Sequence, residues 1–155
     1  MRDAAVKLST QVRGAAPKRA VVDSGPLIAL FNSSDKWHTP VLQWLRANQH
    51  VKLIATWSVL TEVSALLARR LGNEASLDFL RWVQRGAIEL DRTELSTLGD
   101  VITISERFSD LPFDLADASV AEVAARLGIY AVLTIDSDFV VYRDSSGRQL
   151  RNLLT

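Results

Sequence analysis

An α/β fold with a parallel sheet is what this sequence predicts, on three observations. From Ala20 onward, short apolar β-like runs alternate with longer helical patterns, the sequence form of repeated βα units. The chain has 155 residues, 48% of them hydrophobic and 23% charged, which fits one globular domain with one core. Finally, acidic residues follow two of the apolar runs directly, where open α/β sheets bind ligands beyond the carboxyl ends of their strands.

The first strand is expected at about Arg19–Val22, ending at Asp23. Ser24 then offers an N-cap, and Pro26 sits in the first turn of a helix through Leu27-Ile-Ala-Leu-Phe, where its missing N–H is harmless. A second helix runs from Trp37 to Asn48, capped by Ser34 or Asp35, with Val41, Leu42, Trp44 and Leu45 on its apolar side. Val51-Lys-Leu-Ile-Ala is the second strand. Ser58–Leu71 is helical and stops at Gly72-Asn73; Glu74–Arg85 is helical and stops at Gly86. Ala87–Leu90 forms a third strand, Glu94–Phe108 a helix, and Pro112 punctuates the loop after it. Asp114–Leu127 is an alanine-rich helix ended by Gly128, followed by a fourth strand at Tyr130–Leu133. Asp138–Tyr142 forms one short turn, Ser145-Ser-Gly another, and Gln149–Leu154 an edge strand. The expected organisation is a basic tail over 1–18, carrying Arg2, Lys7, Arg13 and Lys18 against Asp3, and a single domain over 19–155.

The totals exclude several chemistries. With 18 basic and 18 acidic residues the formal net charge is zero, which argues against broad electrostatic coating of nucleic acid. There is no cysteine, so disulfides, zinc–thiolate sites and thiol nucleophiles are absent, and a reducing cytoplasm suits the chain. Charges interrupt every apolar run before it reaches the length of a membrane span.

What remains is a set of carboxylates in positions that cost free energy to desolvate. Asp23 and Asp136 close the first and fourth strands. Glu62 lies on a helical stripe with Val59, Val63, Ala65 and Leu66. Asp114 and Asp117 open the alanine-rich helix, whose Ala118, Ala121, Ala124 and Ala125 allow close packing on the sheet. Singly, each has a bland explanation as a cap, a turn or a surface charge. Together, several acids at one point require a cation, and oxygen-only ligands favour Mg²⁺ or Mn²⁺. Arg143, Arg148 and Arg151 are placed to steer a phosphate backbone, although such arginines are more often solvated. His38, beside Trp37, reads as a packing or capping residue. Trp37 and Trp44, seven apart, share one helix face.

Val22-Asp23-Ser24, Ser58-Val-Leu-Thr-Glu62-Val, Leu115-Ala-Asp117-Ala118 and Leu133-Thr134-Ile-Asp136-Ser-Asp138-Phe139 resemble, in order and spacing, the PIN domain. The stretches from Asp110 to Ser119 and from Thr134 to Arg143 look like its VapC toxin branch. The resemblance implies a three-layer α/β/α sandwich with a mainly parallel sheet of four to five strands. It also implies an Mg²⁺- or Mn²⁺-dependent endoribonuclease, usually a homodimer, held inactive by a small cognate antitoxin. Carried over by position, Asp23, Glu62, Asp117 and Asp136 are the catalytic and metal-binding quartet, with Ser24, Thr134, Asp138 and Asp114 in support. The alternatives are a PIN-like module that binds RNA or protein without cutting, and a haloacid-dehalogenase-like phosphatase built on Asp136-Ser-Asp138. The phosphatase needs a downstream lysine, and none occurs among the seventeen residues after Asp138. A receiver-like phosphorylation domain fails similarly, because no lysine follows Lys52.

Overall fold

The computed structural model describes residues 16–111 and 113–154, so most of the expected basic tail, and Pro112, lie outside the described residues. In chain order the elements are β1 (Arg19–Val22), α1 (Ser24–Phe31), α2 (His38–Ala47), β2 (Lys52–Ala55), α3 (Trp57–Leu71), α4 (Asn73–Gln84), β3 (Glu89–Leu90), α5 (Leu95–Arg107), α6 (Leu115–Leu127), β4 (Ala131–Leu133), α7 (Asp138–Val141) and β5 (Arg151–Asn152).

The five strands form one sheet in the order β3-β2-β1-β4-β5, and every pairing is parallel. The expected strand count holds, and the sheet is wholly rather than mainly parallel. β1 lies at its centre, with Ala20, Val21 and Val22 buried, as a strand covered on both faces requires. From β1 the chain steps outward through β2 to β3, then crosses back to place β4 on the other side of β1. Right-handed crossovers therefore put α1–α4 on one face and α5–α6 on the other. Within the layers α1 rests on α2 and α3, α3 on α4, and α5 on α6, while α3 and α6 also meet each other. The reversal of strand order makes the gap between the carboxyl ends of β1 and β4 a topological switch point.

Leu27, Ile54, Val59, Val63, Leu67 and Phe79 fill the core beneath the first helix layer. Phe31 meets Phe79 and Trp82 edge-on at 5.5 Å, a geometry favoured by ring quadrupoles. Phe108, Phe113, Phe139 and Tyr142 form a second aromatic group that seats α7.

Several boundaries differ from the sequence expectation for local reasons. The N-cap of α1 is Asp23, whose Oδ1 accepts from Ser24 N at 2.8 Å, so Ser24 lies inside the helix. α2 begins at His38 after an Asx turn in which Asp35 Oδ1 accepts from Trp37 N. α3 begins one residue early because Thr56 caps it, and this leaves Trp57 exposed. β3 and β5 are two residues each, since both are edges paired on one side only. Trp37 and Trp44 are half-buried, and Trp44 packs on the core. His38 Nδ1 lies 2.9 Å from Ala29 O, joining α2 to α1 in the packing role expected of it.

Candidate metal centre

Asp23 stands at the switch point because β1 ends there. Its backbone N–H donates to Leu133 O at 3.0 Å, which ties the ends of β1 and β4 together. Its carboxylate is 3% exposed, and each oxygen has a donor: Ser24 N on Oδ1, Thr134 Oγ1 on Oδ2 at 3.0 Å. Burial, partly offset by those two hydrogen bonds and reinforced by the charges of Asp136 and Glu62, raises its pKa from 3.8 to about 6.

Thr134, fully buried, links two of the acids. While donating to Asp23, its Oγ1 accepts from Asp136 N at 2.9 Å. One hydroxyl thereby fixes the Asp136 loop against the Asp23 carboxylate. Asp136 Oδ1 in turn accepts from the N–H of Asp138, the first residue of α7, at 2.9 Å. Asp138 has its pKa raised by desolvation and by the neighbouring Asp136 charge. Ser24 contributes through its backbone N–H.

Asp117 arrives from α6. Asp114 caps that helix, its Oδ1 accepting from Asp117 N at 3.0 Å, while Asp117 Oδ2 accepts from Asp114 N at 3.2 Å. This reciprocal capping box holds Asp117 by one oxygen. Desolvation first, then the charges of Asp23, Asp114 and Asp136, raise the Asp117 pKa from 3.8 to about 8. Asp114 is exposed and serves as the cap that orients Asp117.

Carboxylate oxygens of Asp23, Asp117 and Asp136 all lie within 4.8 Å of one another. Glu62, on α3, sits outside this group of three, but its charge acts on Asp23, and its Oε2 is buried without a hydrogen-bond partner. A buried, unpartnered carboxylate oxygen on Glu62 and three converging carboxylates are donors of the kind that a cation takes. All four donors are carboxylates, the set preferred by a hard divalent ion.

Two supporting residues escaped the sequence reading. Ser119 Oγ donates to Ala116 O at 2.7 Å, so its contact with Thr56 Oγ1, also 2.7 Å, uses the threonine proton; Thr56 Oγ1 accepts from Val59 N. This buried chain pins the start of α3, which bears Glu62, to the first turns of α6, which bear Asp117. Thr56 was legible as a threonine before an apolar helix, whereas nothing local distinguishes Ser119. Two of the three C-terminal arginines are occupied: Arg143 donates to the carbonyls of Val140, Val141 and Tyr142, and Arg148 stacks 4.6 Å over Tyr130.

Fold and site together define an α/β/α protein with a carboxylate-only centre at the switch point of a parallel sheet. The PIN domain profile matches residues 20–144. The chain belongs to the PIN domain family. It is 26% identical to ribonuclease VapC26 of Mycobacterium tuberculosis over 116 residues, 75% of this chain and 85% of that protein. It superposes on the crystal structure of M. tuberculosis VapC20, a sarcin-ricin-loop-cleaving toxin, with TM-score 0.73 and 21% identity, covering 79% of this chain and 93% of the other. VapBC2 from Rickettsia felis, crystallised on a DNA fragment of its promoter, matches with TM-score 0.57 and 13% identity over 78% and 90% of the two chains.

Proposed function

We propose that this protein is a divalent-cation-dependent endoribonuclease of the VapC kind, the toxin of a toxin–antitoxin pair. The observation that carries the reading is the convergence of Asp23, Asp117 and Asp136 carboxylates within 4.8 Å, at the switch point of a PIN fold. Asp23, Asp117, Asp136 and Glu62 are the residues that would hold Mg²⁺ or Mn²⁺. When bound, such an ion lowers the pKa of water and stabilises the developing charge on a phosphodiester.

The chain's own groups do the rest. Asp23 and Asp117 must each lose a proton to serve as ligands, and their raised pKa values keep both partly protonated until the cation arrives. Thr134 holds Asp23 and the Asp136 loop in one geometry before substrate binds. Asp138, whose backbone N–H donates to Asp136, is an auxiliary acid beside the quartet. Hydrolysis leaves a 5′-phosphate and a 3′-hydroxyl.

The partners that fit are an RNA substrate, a small cognate antitoxin and a second copy of the chain in a homodimer. The likeness to VapBC2 supports an antitoxin partner, and a groove lined by Trp57, Leu60, Leu77, Leu80, Val83 and Ile88 offers apolar surface to a partner. Among the described residues, no helix is long and apolar enough to cross a membrane, and a cytoplasmic location suits a chain without cysteine. Family membership removes the phosphatase alternative; the non-cutting module differs from the nuclease only in turnover.

Purified protein incubated with total RNA and Mg²⁺ or Mn²⁺, followed by mapping of new 5′ ends, tests the proposal. Discrete cleavage lost in Asp23→Asn is expected. Intact RNA with metal-loaded wild type, identical to the variant, defeats it.

A further inference from the structure

The two loops that carry Asp23 and Asp136 touch at a point where one of them has no side chain. Gly25 lies in the first turn of α1, two residues after Asp23. Ile135 lies between Thr134 and Asp136. A β-carbon added to Gly25 would stand 2.5 Å from Ile135 Cγ1 and 2.8 Å from Ile135 Cδ1, distances that real β-carbons do not tolerate. Gly25 has no positive φ, so backbone conformation does not demand glycine there. Helix propensity disfavours it, since alanine is the better residue inside a helix. Close approach is the remaining reason for glycine. The other glycines whose surroundings are described have open space where a side chain would go, so the contact at Gly25 is specific.

The consequence concerns the acids. Asp23 is held to β4 by its N–H on Leu133 O and by the Thr134 hydroxyl, and Thr134 also holds Asp136 N. Ile135 is the residue in that short span whose side chain meets α1. A side chain at Gly25 would have to displace Ile135, which lies directly between Thr134 and Asp136. We propose that Gly25 is a positioning residue: the absence of its side chain lets Ile135 seat on α1, and this sets the spacing of Asp23 and Asp136 for the cation. The inference rests on the metal-site reading above and adds to it a residue that touches neither cation nor substrate.

Mn²⁺ titration of the full chain, by calorimetry or by the manganese electron-spin signal, tests it on wild type, Gly25→Ala, Ile135→Ala and the double variant, with thermal melts alongside. Gly25→Ala is expected to stay folded and to bind Mn²⁺ about 10-fold or more weakly, the usual cost of disturbing residues behind metal ligands. Ile135→Ala, which removes both crowded atoms, is expected to recover most of that loss when combined with Gly25→Ala. A general loss of stability would not give this paired recovery. Wild-type Mn²⁺ affinity in Gly25→Ala overturns the proposal, as does a double variant as weak as Gly25→Ala. Collapse of the fold in Gly25→Ala with no return of Mn²⁺ binding in the double variant overturns it equally; return of binding supports it. A wild-type chain that binds no Mn²⁺ overturns the metal-site reading itself and takes this proposal with it, which separates the two failures.

Discussion

Replacing Asp23 with asparagine should make the cation-free protein more stable above neutral pH while destroying its response to metal. The Asp23 carboxyl is 3% exposed and its pKa rises from 3.8 to about 6 on folding, mainly through desolvation. At about 1.4 kcal/mol per tenfold change in proton affinity, this corresponds to about 3 kcal/mol of destabilisation. The sign follows from which state holds the proton. Below pH 3.8 both states are protonated and the penalty is absent; between 3.8 and about 6 the unfolded chain ionises first and stability falls; above 6 the full penalty applies. Asparagine carries no charge, and its one carbonyl oxygen keeps either the Ser24 N or the Thr134 hydroxyl bond, losing about 1 kcal/mol with the other. The net gain in chelator at about pH 8 is therefore about 2 kcal/mol, or about 4–8 °C in melting temperature for a domain of this size. Near pH 5 the gain should shrink to less than about 1 kcal/mol. Saturating Mn²⁺ reverses the order, since 100-fold excess over Kd stabilises wild type by about 2.7 kcal/mol and leaves the variant unchanged. Differential scanning calorimetry at the two pH values, with chelator and with Mn²⁺, reads all four quantities. A variant no more stable than wild type at pH 8 in chelator, or a difference that ignores pH, would refute the account of Asp23 as a buried, unneutralised ligand.

Thr134→Val removes the donor to Asp23 and the acceptor for Asp136 N, so stability should fall by about 1–3 kcal/mol and Mn²⁺ affinity with it, while Thr134→Ser retains both; urea melts and Mn²⁺ titration distinguish them. Ser119→Ala leaves the buried Thr56 hydroxyl without its acceptor and should cost about 1–3 kcal/mol in the same melts. Mn²⁺ affinity should rise steeply from about pH 6 to about pH 8, as Asp23 and Asp117 surrender protons that compete with the ion; a flat titration over that window would contradict the assigned ligands.

Sequence alone determined the alternation of strands and helices, because each depends on local apolar periodicity and on caps and stops such as Gly72 and Gly128. It also placed Asp23 and Asp136 at strand ends and Asp117 in the first turn of a helix, since these positions depend on a few neighbouring residues. Its errors were equally local. Ser24 was taken for the cap that Asp23 supplies, and the nearby partners of Arg143 and Arg148 were not foreseen.

Only the tertiary structure decided which residues meet. The strand order β3-β2-β1-β4-β5 sets Asp23 beside Asp136 across 113 residues of chain, a neighbourhood that no sequence window contains. The Thr56–Ser119 bond, the orphaned Glu62 oxygen and the seat of Ile135 on Gly25 are likewise contacts between distant segments. Local patterns select the elements; desolvation, charge and close packing act only once those elements are assembled. For that reason the acids could be ranked from the sequence, whereas their spacing, protonation and support belong to the fold.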